Sequence, residues 1–231
     1  MIDKRVETIE AALDGIGDGS SILVSGFGGT GIAFALIRAL ENMTARDLTL
    51  ILNGIRFVDG VAPRIFGDRR VSKVICSAAR SRGRDTSIYE RQWLDGELDI
   101  EMVPQGTFAE RIRAGGAGVQ AFYTPTAAGT QLGEGKEVRE FNGKTCVLET
   151  AITADFALIR AARADRWGNV RFRGAQGNFG LAMAMAARTT VIETGAATDD
   201  PIEPDGIHIP GIYVQRVIEL EDASPSNAGG L

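Results

Sequence analysis

The stretch Ser21-Ile22-Leu23-Val24-Ser25-Gly26-Phe27-Gly28-Gly29-Thr30-Gly31-Ile32-Ala33 decides how this chain is read. Ser21 to Val24 make a short apolar strand, and a glycine-rich turn follows at once. From Phe34 the pattern becomes helical and runs to about Met43. Glycines at 26, 28, 29 and 31 remove side chains where a backbone must turn sharply or admit another group. A helix N-terminus just beyond the turn offers unpaired N–H groups and partial positive charge. Such an end suits a phosphate, a carboxylate or a developing oxyanion. The loop is therefore expected at the mouth of a binding or active site, with a ligand-free structural turn as the alternative.

Gly26, Gly28 and Gly31 also fit the spacing G-x-G-x-x-G of dinucleotide sites. That fingerprint needs an acidic residue near the end of the second strand, about 20 residues on. Here the second strand, Leu48–Leu52, ends at Asn53; Asp47 precedes it and Asp59 lies several residues beyond. The nicotinamide reading fails on that residue.

Composition narrows the field further. The chain has 231 residues and a formal net charge of -5, with no basic run, so neither nucleic acid nor a membrane surface is an expected partner. It shows no apolar run of about 18 residues and no N-terminal signal pattern, and a cytoplasmic location is expected. Cys76 and Cys146 are far apart and His208 is the sole histidine. A zinc centre, a disulfide scaffold and a Ser-His-Asp triad within this chain all lack their residues, and no metal site is expected.

Along the chain, Val6–Ile16 carries apolar residues at helical spacing, and Leu48–Leu52 is a continuous apolar strand of the kind buried on both faces of a parallel sheet. A helix is expected at Val61–Phe66, a strand at Val71–Cys76, a helix at Tyr89–Leu94 and a strand at Leu98–Val103. Phe108–Ala114 reads as a helix stopped by Gly115-Gly116-Ala117-Gly118, and 121–135 as a loop. Lys144–Glu149, Phe156–Ala161 and Thr189–Glu193 read as strands, and Phe179–Arg188 as a helix. Arginines at 80, 82, 84 and 91 form either a solvated polar loop or a rim facing an anionic ligand such as a CoA phosphate. The fold expected is α/β, a mostly parallel sheet flanked by helices, in one domain over residues 1–221 with a flexible tail at 222–231.

Several segments carry a resemblance. Tyr89–Leu98, Val103-Pro104-Gln105-Gly106-Thr107-Phe108-Ala109-Glu110-Arg111-Ile112-Arg113-Ala114-Gly115-Gly116-Ala117-Gly118 and Ala121-Phe122-Tyr123-Thr124-Pro125-Thr126 resemble the A subunit of family I CoA-transferases. So do the glycine loop, Glu134–Glu137, Ala154–Ile159, Asp165–Asn169, Asn178-Phe179 and Ile207–Val214. The resemblance covers nearly the whole chain in order, with members acting on 3-oxoacids such as 3-oxoadipate and acetoacetate the most similar. It implies the family I CoA-transferase fold and ping-pong exchange of CoA between an acyl-CoA such as succinyl-CoA and a carboxylic acid. In such exchange a glutamate carboxylate passes through a mixed anhydride to a glutamyl-CoA thioester, which needs no histidine.

The resemblance also places that nucleophile in a partner B subunit, within an α2β2 assembly. No catalytic residue is then expected in this chain, and no cofactor, coenzyme A being a substrate. Glu149 and Glu193, at strand ends, are the tempting carboxylates; Glu149 reads as structural or interfacial. The residues implied to hold the CoA and acyl groups are Ser25, Gly26, Phe27, Gly28, Gly29, Thr30 and Gly31 as an oxyanion loop, with Asn53 and Gln105 at the acyl site. Ser25 stands where the family commonly has glycine, Ala33 where it has proline and Gly54 where many members have a second asparagine; 55–70 and 78–86 diverge further. Those departures leave open an acyl-CoA hydrolase or ring-cleaving enzyme on the same fold. A small-anion-binding module without turnover is a further alternative.

Overall fold

A computed structural model describes residues 2–81 and 85–220. The chain opens with β1 (Arg5–Val6), α1 (Ile9–Leu13), β2 (Ser21–Val24) and α2 (Phe34–Ala39). It continues through β3 (Leu48–Gly54), α3 (Ile55–Val61), α4 (Arg64–Gly67), β4 (Val71–Ala78), α5 (Ile88–Leu94), β5 (Asp99–Met102) and α6 (Gln105–Gly116). A small antiparallel sheet follows, built from β6 (Ala121–Thr124), β7 (Val138–Phe141) and β8 (Lys144–Thr150). Then come β9 (Ala154–Ala161), β10 (Arg163–Asp165), β11 (Val170–Arg171) and α7 (Gly180–Ala186), and finally β12 (Ala187–Thr194), β13 (Ala197–Thr198) and β14 (Arg216–Glu219).

The main sheet has eight strands in the order β1-β14-β12-β9-β2-β3-β4-β5, and every pairing in it is parallel. Side chains alternate between its faces. Leu48, Leu50 and Leu52 of β3 face one core with Ile22, Val24, Leu36, Ile37, Phe66 and Tyr89. Ile51 faces a second core with Leu23, Ile159, Phe108, Ile112 and Met183. The sheet thus lies between two helical layers, which is why its strands are apolar throughout. From β2 the chain steps outward through β3, β4 and β5, then returns to add β9, β12 and β14 on the other side. The order reverses between β2 and β9, and the glycine loop leaves the sheet at that switch point, the usual ligand crevice of open α/β sheets.

Local chemistry sets the boundaries, and several differ from the sequence reading. The first helix is only Ile9–Leu13; Thr8 caps it by accepting from Ala11 N at 3.1 Å, while Arg5 and Val6 pair with β14 instead. The helix expected at Val61–Phe66 is two helices broken at Ala62-Pro63, where proline lacks an N–H and keeps its predecessor out of helical space. Ser87 and Glu90 form a reciprocal capping box that starts α5. Gly115 and Gly116 do not stop α6 but form its last two residues. A Cβ at Gly115 would lie 2.0 Å from Ile152 O, and one at Gly116 would lie 2.6 Å from Met185 Cβ, so both glycines permit close packing.

Residues 121–135 are not all loop: Ala121–Thr124 pairs with β8. β7 and β8 form a hairpin through Asn142-Gly143, both at positive φ, 50° and 73°. Buried Arg111 ties this small sheet to the main one, bonding Thr150 O at 2.7 Å and Glu101 on β5. The expected tail, 222–231, and Arg82 and Arg84 of the expected rim lie outside the described residues. No described helix is long and apolar enough to cross a membrane.

The packing glycines of α6 are testable against a third glycine of the same helix. Gly115→Ala is expected to cost about 2–3 kcal/mol through overpacking against backbone. Gly106→Ala, whose Cβ would meet nothing within 4 Å, is expected to be neutral or stabilising by about 0.5–1 kcal/mol. Urea midpoints of the two variants read the difference, and equal midpoints would refute the packing role of Gly115.

Candidate active site

The glycine loop closes on itself. Phe27 and Thr30 exchange both backbone hydrogen bonds at 3.0 Å around Gly28 and Gly29, whose φ values of 59° and 88° are those of a primed hairpin turn. Gly26 sits at φ 126° with Ile32 against it; a Cβ there would fall 2.2 Å from Ile32 Cγ1. Buried Ser25 donates its hydroxyl to Gly31 O at 2.6 Å, so the residue that departs from the family pattern braces the loop from within. A residue far along the chain pins the loop from outside. Asn178 Oδ1 accepts from Gly26 N at 3.2 Å, while Asn178 Nδ2 donates to Thr30 O and Ala175 O at 3.0 and 2.9 Å. Among the described residues, the N–H groups of Gly28 and Gly29 have no acceptor.

The helix end beyond the loop is not free for a ligand. Leu36 N, in the first turn of α2, donates to Glu193 Oε2 at 3.0 Å, and Arg160 Nη1 lies 3.1 Å from Glu193 Oε1. Glu193 is wholly buried. Burial pushes its carboxyl above the usual range, against the opposing pull of Leu36 N–H and Arg160. The expectation that this terminus would bind substrate is therefore corrected: an internal carboxylate fills it.

In front of the loop lies a cavity of ≈ 560 Å³, within the size range of small-ligand sites. Phe27 and Gly28 wall it on one side, Asn53, Gly54, Arg56 and Phe57 line its base, and Ala78 to Ser81 with Met102 close the far side. Asn53 ends β3 and is 8% exposed. Ser77 Oγ donates to Asn53 Oδ1 at 2.8 Å, which fixes the carboxamide and leaves Nδ2 free of any partner among the described residues. A Cβ at Gly54 would meet only ordinary contacts, 3.5 Å from Phe57, so glycine here enlarges the cavity rather than relieving a clash.

Not every residue expected at the site reaches it. Gln105 is not among the lining residues; Pro104 caps α6, so Gln105 is its exposed first residue, and Met102 lines the wall instead. Arg91 donates to Thr86 O at 2.6 Å at the start of its own helix, whereas Arg80 does line the cavity. Glu149 is 2% exposed, held by Lys136 with Arg111 3.8 Å away, and does not line the cavity. His208 is a packing residue: its Nδ1 accepts from Phe172 N at 2.8 Å and its ring stacks on Phe172. Cys76 is buried below the cavity, and burial pushes its thiol up to about 11, far from a nucleophilic thiolate. Among the described residues no acidic, histidine and cysteine cluster could hold a metal ion.

Two positions of the site are not marked by sequence reasoning. Arg56 lies in a stretch with no clear periodicity, and Asn178 sits in a recognisable motif whose target is 152 residues away. The clamp makes a prediction. Asn178→Ala removes hydrogen bonds to both arms of the loop and is expected to cost about 1–3 kcal/mol. Hydrogen exchange should speed roughly tenfold or more at Gly26–Gly31, with β3 amides unchanged. Uniform acceleration across both would show that Asn178 merely supports the core.

Sequence and structure comparisons agree with this geometry. The profile of the family described as coenzyme A transferase matches residues 6–220. The A subunit of 3-oxoadipate CoA-transferase from Pseudomonas putida is 44% identical over 229 residues, 98% of each chain. The A subunit of succinyl-CoA:3-ketoacid coenzyme A transferase from Xanthomonas campestris pv. campestris is 47% identical over 218 residues, 93% of this chain and 88% of that one. The crystal structure of glutaconate coenzyme A-transferase from Acidaminococcus fermentans superposes with a TM-score of 0.82 at 20% identity, over 96% of this chain and 78% of that one, a likeness of fold. With a profile spanning nearly every residue and relatives this similar end to end, the chain belongs to the coenzyme A transferase family.

Proposed function

We propose that this chain is the A subunit of a two-subunit CoA-transferase that moves CoA between an acyl-CoA, succinyl-CoA first among them, and a 3-oxoacid such as 3-oxoadipate or acetoacetate. One observation carries the reading: among the described residues the cavity presents hydrogen-bond donors and cations but no carboxylate. Its lining offers the Gly28 N–H, the Asn53 carboxamide and two arginines, while Glu149 and Glu193 are committed elsewhere. Such a half-site complements a carboxylate nucleophile arriving from a partner chain.

In this proposal the thioester carbonyl is attacked by a glutamate of the B subunit. Charge developing on the carbonyl oxygen is met by the Gly28 and Gly29 amides and by Asn53 Nδ2, all held in place before reaction. The CoA thiolate leaves, then attacks the glutamyl carbonyl of the mixed anhydride. The first acid departs, and the glutamyl-CoA thioester awaits the second. Ser25, Gly26, Phe27, Thr30 and Gly31 shape and close the loop rather than touch the carbonyl. Arg80 stands at the rim shared with a second depression beside α5. An α2β2 assembly, a cytoplasmic location, a single domain over 1–221 and the lack of any resident cofactor belong to the same proposal.

The test is to purify the chain alone and with its B-type partner and follow transfer from succinyl-CoA to 3-oxoadipate and to acetoacetate. Turnover is expected only in the complex and only with an acceptor acid. Borohydride or hydroxylamine trapping followed by peptide mapping should place the adduct on the partner. An adduct on Glu149 or Glu193, or activity of the lone chain, would overturn the half-site; CoA release without acceptor would indicate a hydrolase. In the complex, Asn53→Ala is expected to lower kcat about 10²–10³-fold.

A further inference from the structure

The oxyanion role leaves one feature of the cavity unused: its charge. Among the described residues, Arg56 and Arg80 are the only charged ones lining it. Eight other arginines of the chain stand within 4.0 Å of a carboxylate. Among the described residues, Arg56 and Arg80 have neither a carboxylate nor a side-chain hydrogen-bond acceptor. Glu90, which lines the adjoining depression with Arg80, is engaged by Ser81 N and Ser87 N at 3.1 and 2.8 Å. Burial would raise its carboxyl, but these bonds hold it at about 2.

The Arg56 guanidinium lies over the Phe57 ring, 4.8 Å from its centroid. Stacking leaves the N–H edge of a guanidinium open, and that edge matches a carboxylate bidentately. Apart from Asn53, Ser81 and the glycines, the rest of the described wall is apolar: Phe27, Phe57, Ala78, Ala79 and Met102. Both guanidinium groups are exposed and without an anion among the described residues, so their donors are available to a ligand's carboxylate.

Resting on the transferase reading, we propose that Arg56, supported by Arg80, receives the distal carboxylate of a dicarboxylic acyl group, so that this chain favours dicarboxylic over monocarboxylic 3-oxoacids. The position fits. Asn53, which addresses the reacting carbonyl, is three residues from Arg56, so their Cα atoms stand at most ~11 Å apart. That span suits a short acyl chain with a charge at each end, not the long phosphopantetheine arm. An acid without the second carboxylate fills the same apolar wall but leaves the guanidinium unmatched.

The experiment uses the complex with the B-type partner. In ping-pong kinetics, kcat/KM for the acceptor reports only the half-reaction in which that acid takes CoA. Arg56→Gln is expected to lower this quantity about 10²-fold for 3-oxoadipate and to change it less than about threefold for acetoacetate; Arg80→Gln is expected to do the same to a smaller degree. Arg56 is exposed, so its replacement leaves the fold intact. An equal loss with both acids, or no loss with 3-oxoadipate, overturns the proposal. An equal loss that vanishes with dephospho-CoA donors also overturns it, by assigning Arg56 to the nucleotide end of CoA. Calorimetric titration with adipate and with hexanoate gives an arm that needs no turnover: adipate should bind the more tightly, and Arg56→Gln should abolish the preference. Absence of transfer in the wild-type complex would sink the transferase reading, and the titration would still decide the role of Arg56.

Discussion

The buried carboxylate of Glu193 is the constraint on which the arrangement depends. It joins three elements that sequence separates widely: its own strand β12, Arg160 on β9 and the first turn of α2. Taking a charge this deep is unfavourable, and its carboxyl is pushed up accordingly. Removing the partner while leaving the charge would cost far more, which is what makes such a contact specific. By seating α2 against β9 and β12, Glu193 sets the point from which the glycine loop springs. By filling the helix end, it also denies that end to substrate. The donors that the proposed mechanism uses, Gly28, Gly29 and Asn53, lie outside that helix end and are held by turn geometry and by Ser77.

The loop needs support because its conformation is intrinsically unfavourable in the unfolded ensemble. Glycine gives the positive φ values but also the greatest loss of backbone freedom on folding. Ser25 and Asn178 provide opposing braces, one inside the loop and one outside. This explains why a serine at position 25, a departure from the family pattern, is compatible with the site. Its hydroxyl makes a bond within the loop and does not enter the cavity lined by Phe27 and Gly28.

The central sheet is legible in the sequence because parallel strands covered on both faces are apolar at nearly every position, as Leu48–Leu52 and Phe156–Ala161 are. The small sheet is less so: Val138–Phe141 is exposed along its length and carries no such signal, although Asn142-Gly143 marks the turn beside it. Gly115 and Gly116 read locally as a helix stop, yet their reason is Ile152 and Met185, contacts that no local rule contains. Asn53 lines the cavity because it ends a strand, and strand ends border the crevice of an open α/β sheet. Gln105 fails the same rule because Pro104 starts a helix immediately and carries the side chain into its first turn. Asn178 and Glu193 act on the loop across more than 150 residues, so their roles emerge only with the fold.

The loop and Asn53 form one side of the cavity, the side that the proposed mechanism assigns to the thioester carbonyl. The other side is drawn from α3 and the end of β4. They contribute Arg56 and Phe57 from α3, and Ala78, Ala79, Arg80 and Ser81 at and beyond the end of β4. Gly54 sits at the seam and opens space between the two sides. A site divided in this way can exchange one acid for another by altering α3 and the β4 loop while the donors at the carbonyl stay fixed. The ping-pong cycle requires that economy, because two different acids must in turn meet the same donors, and only the part of each acid beyond the carbonyl can tell them apart.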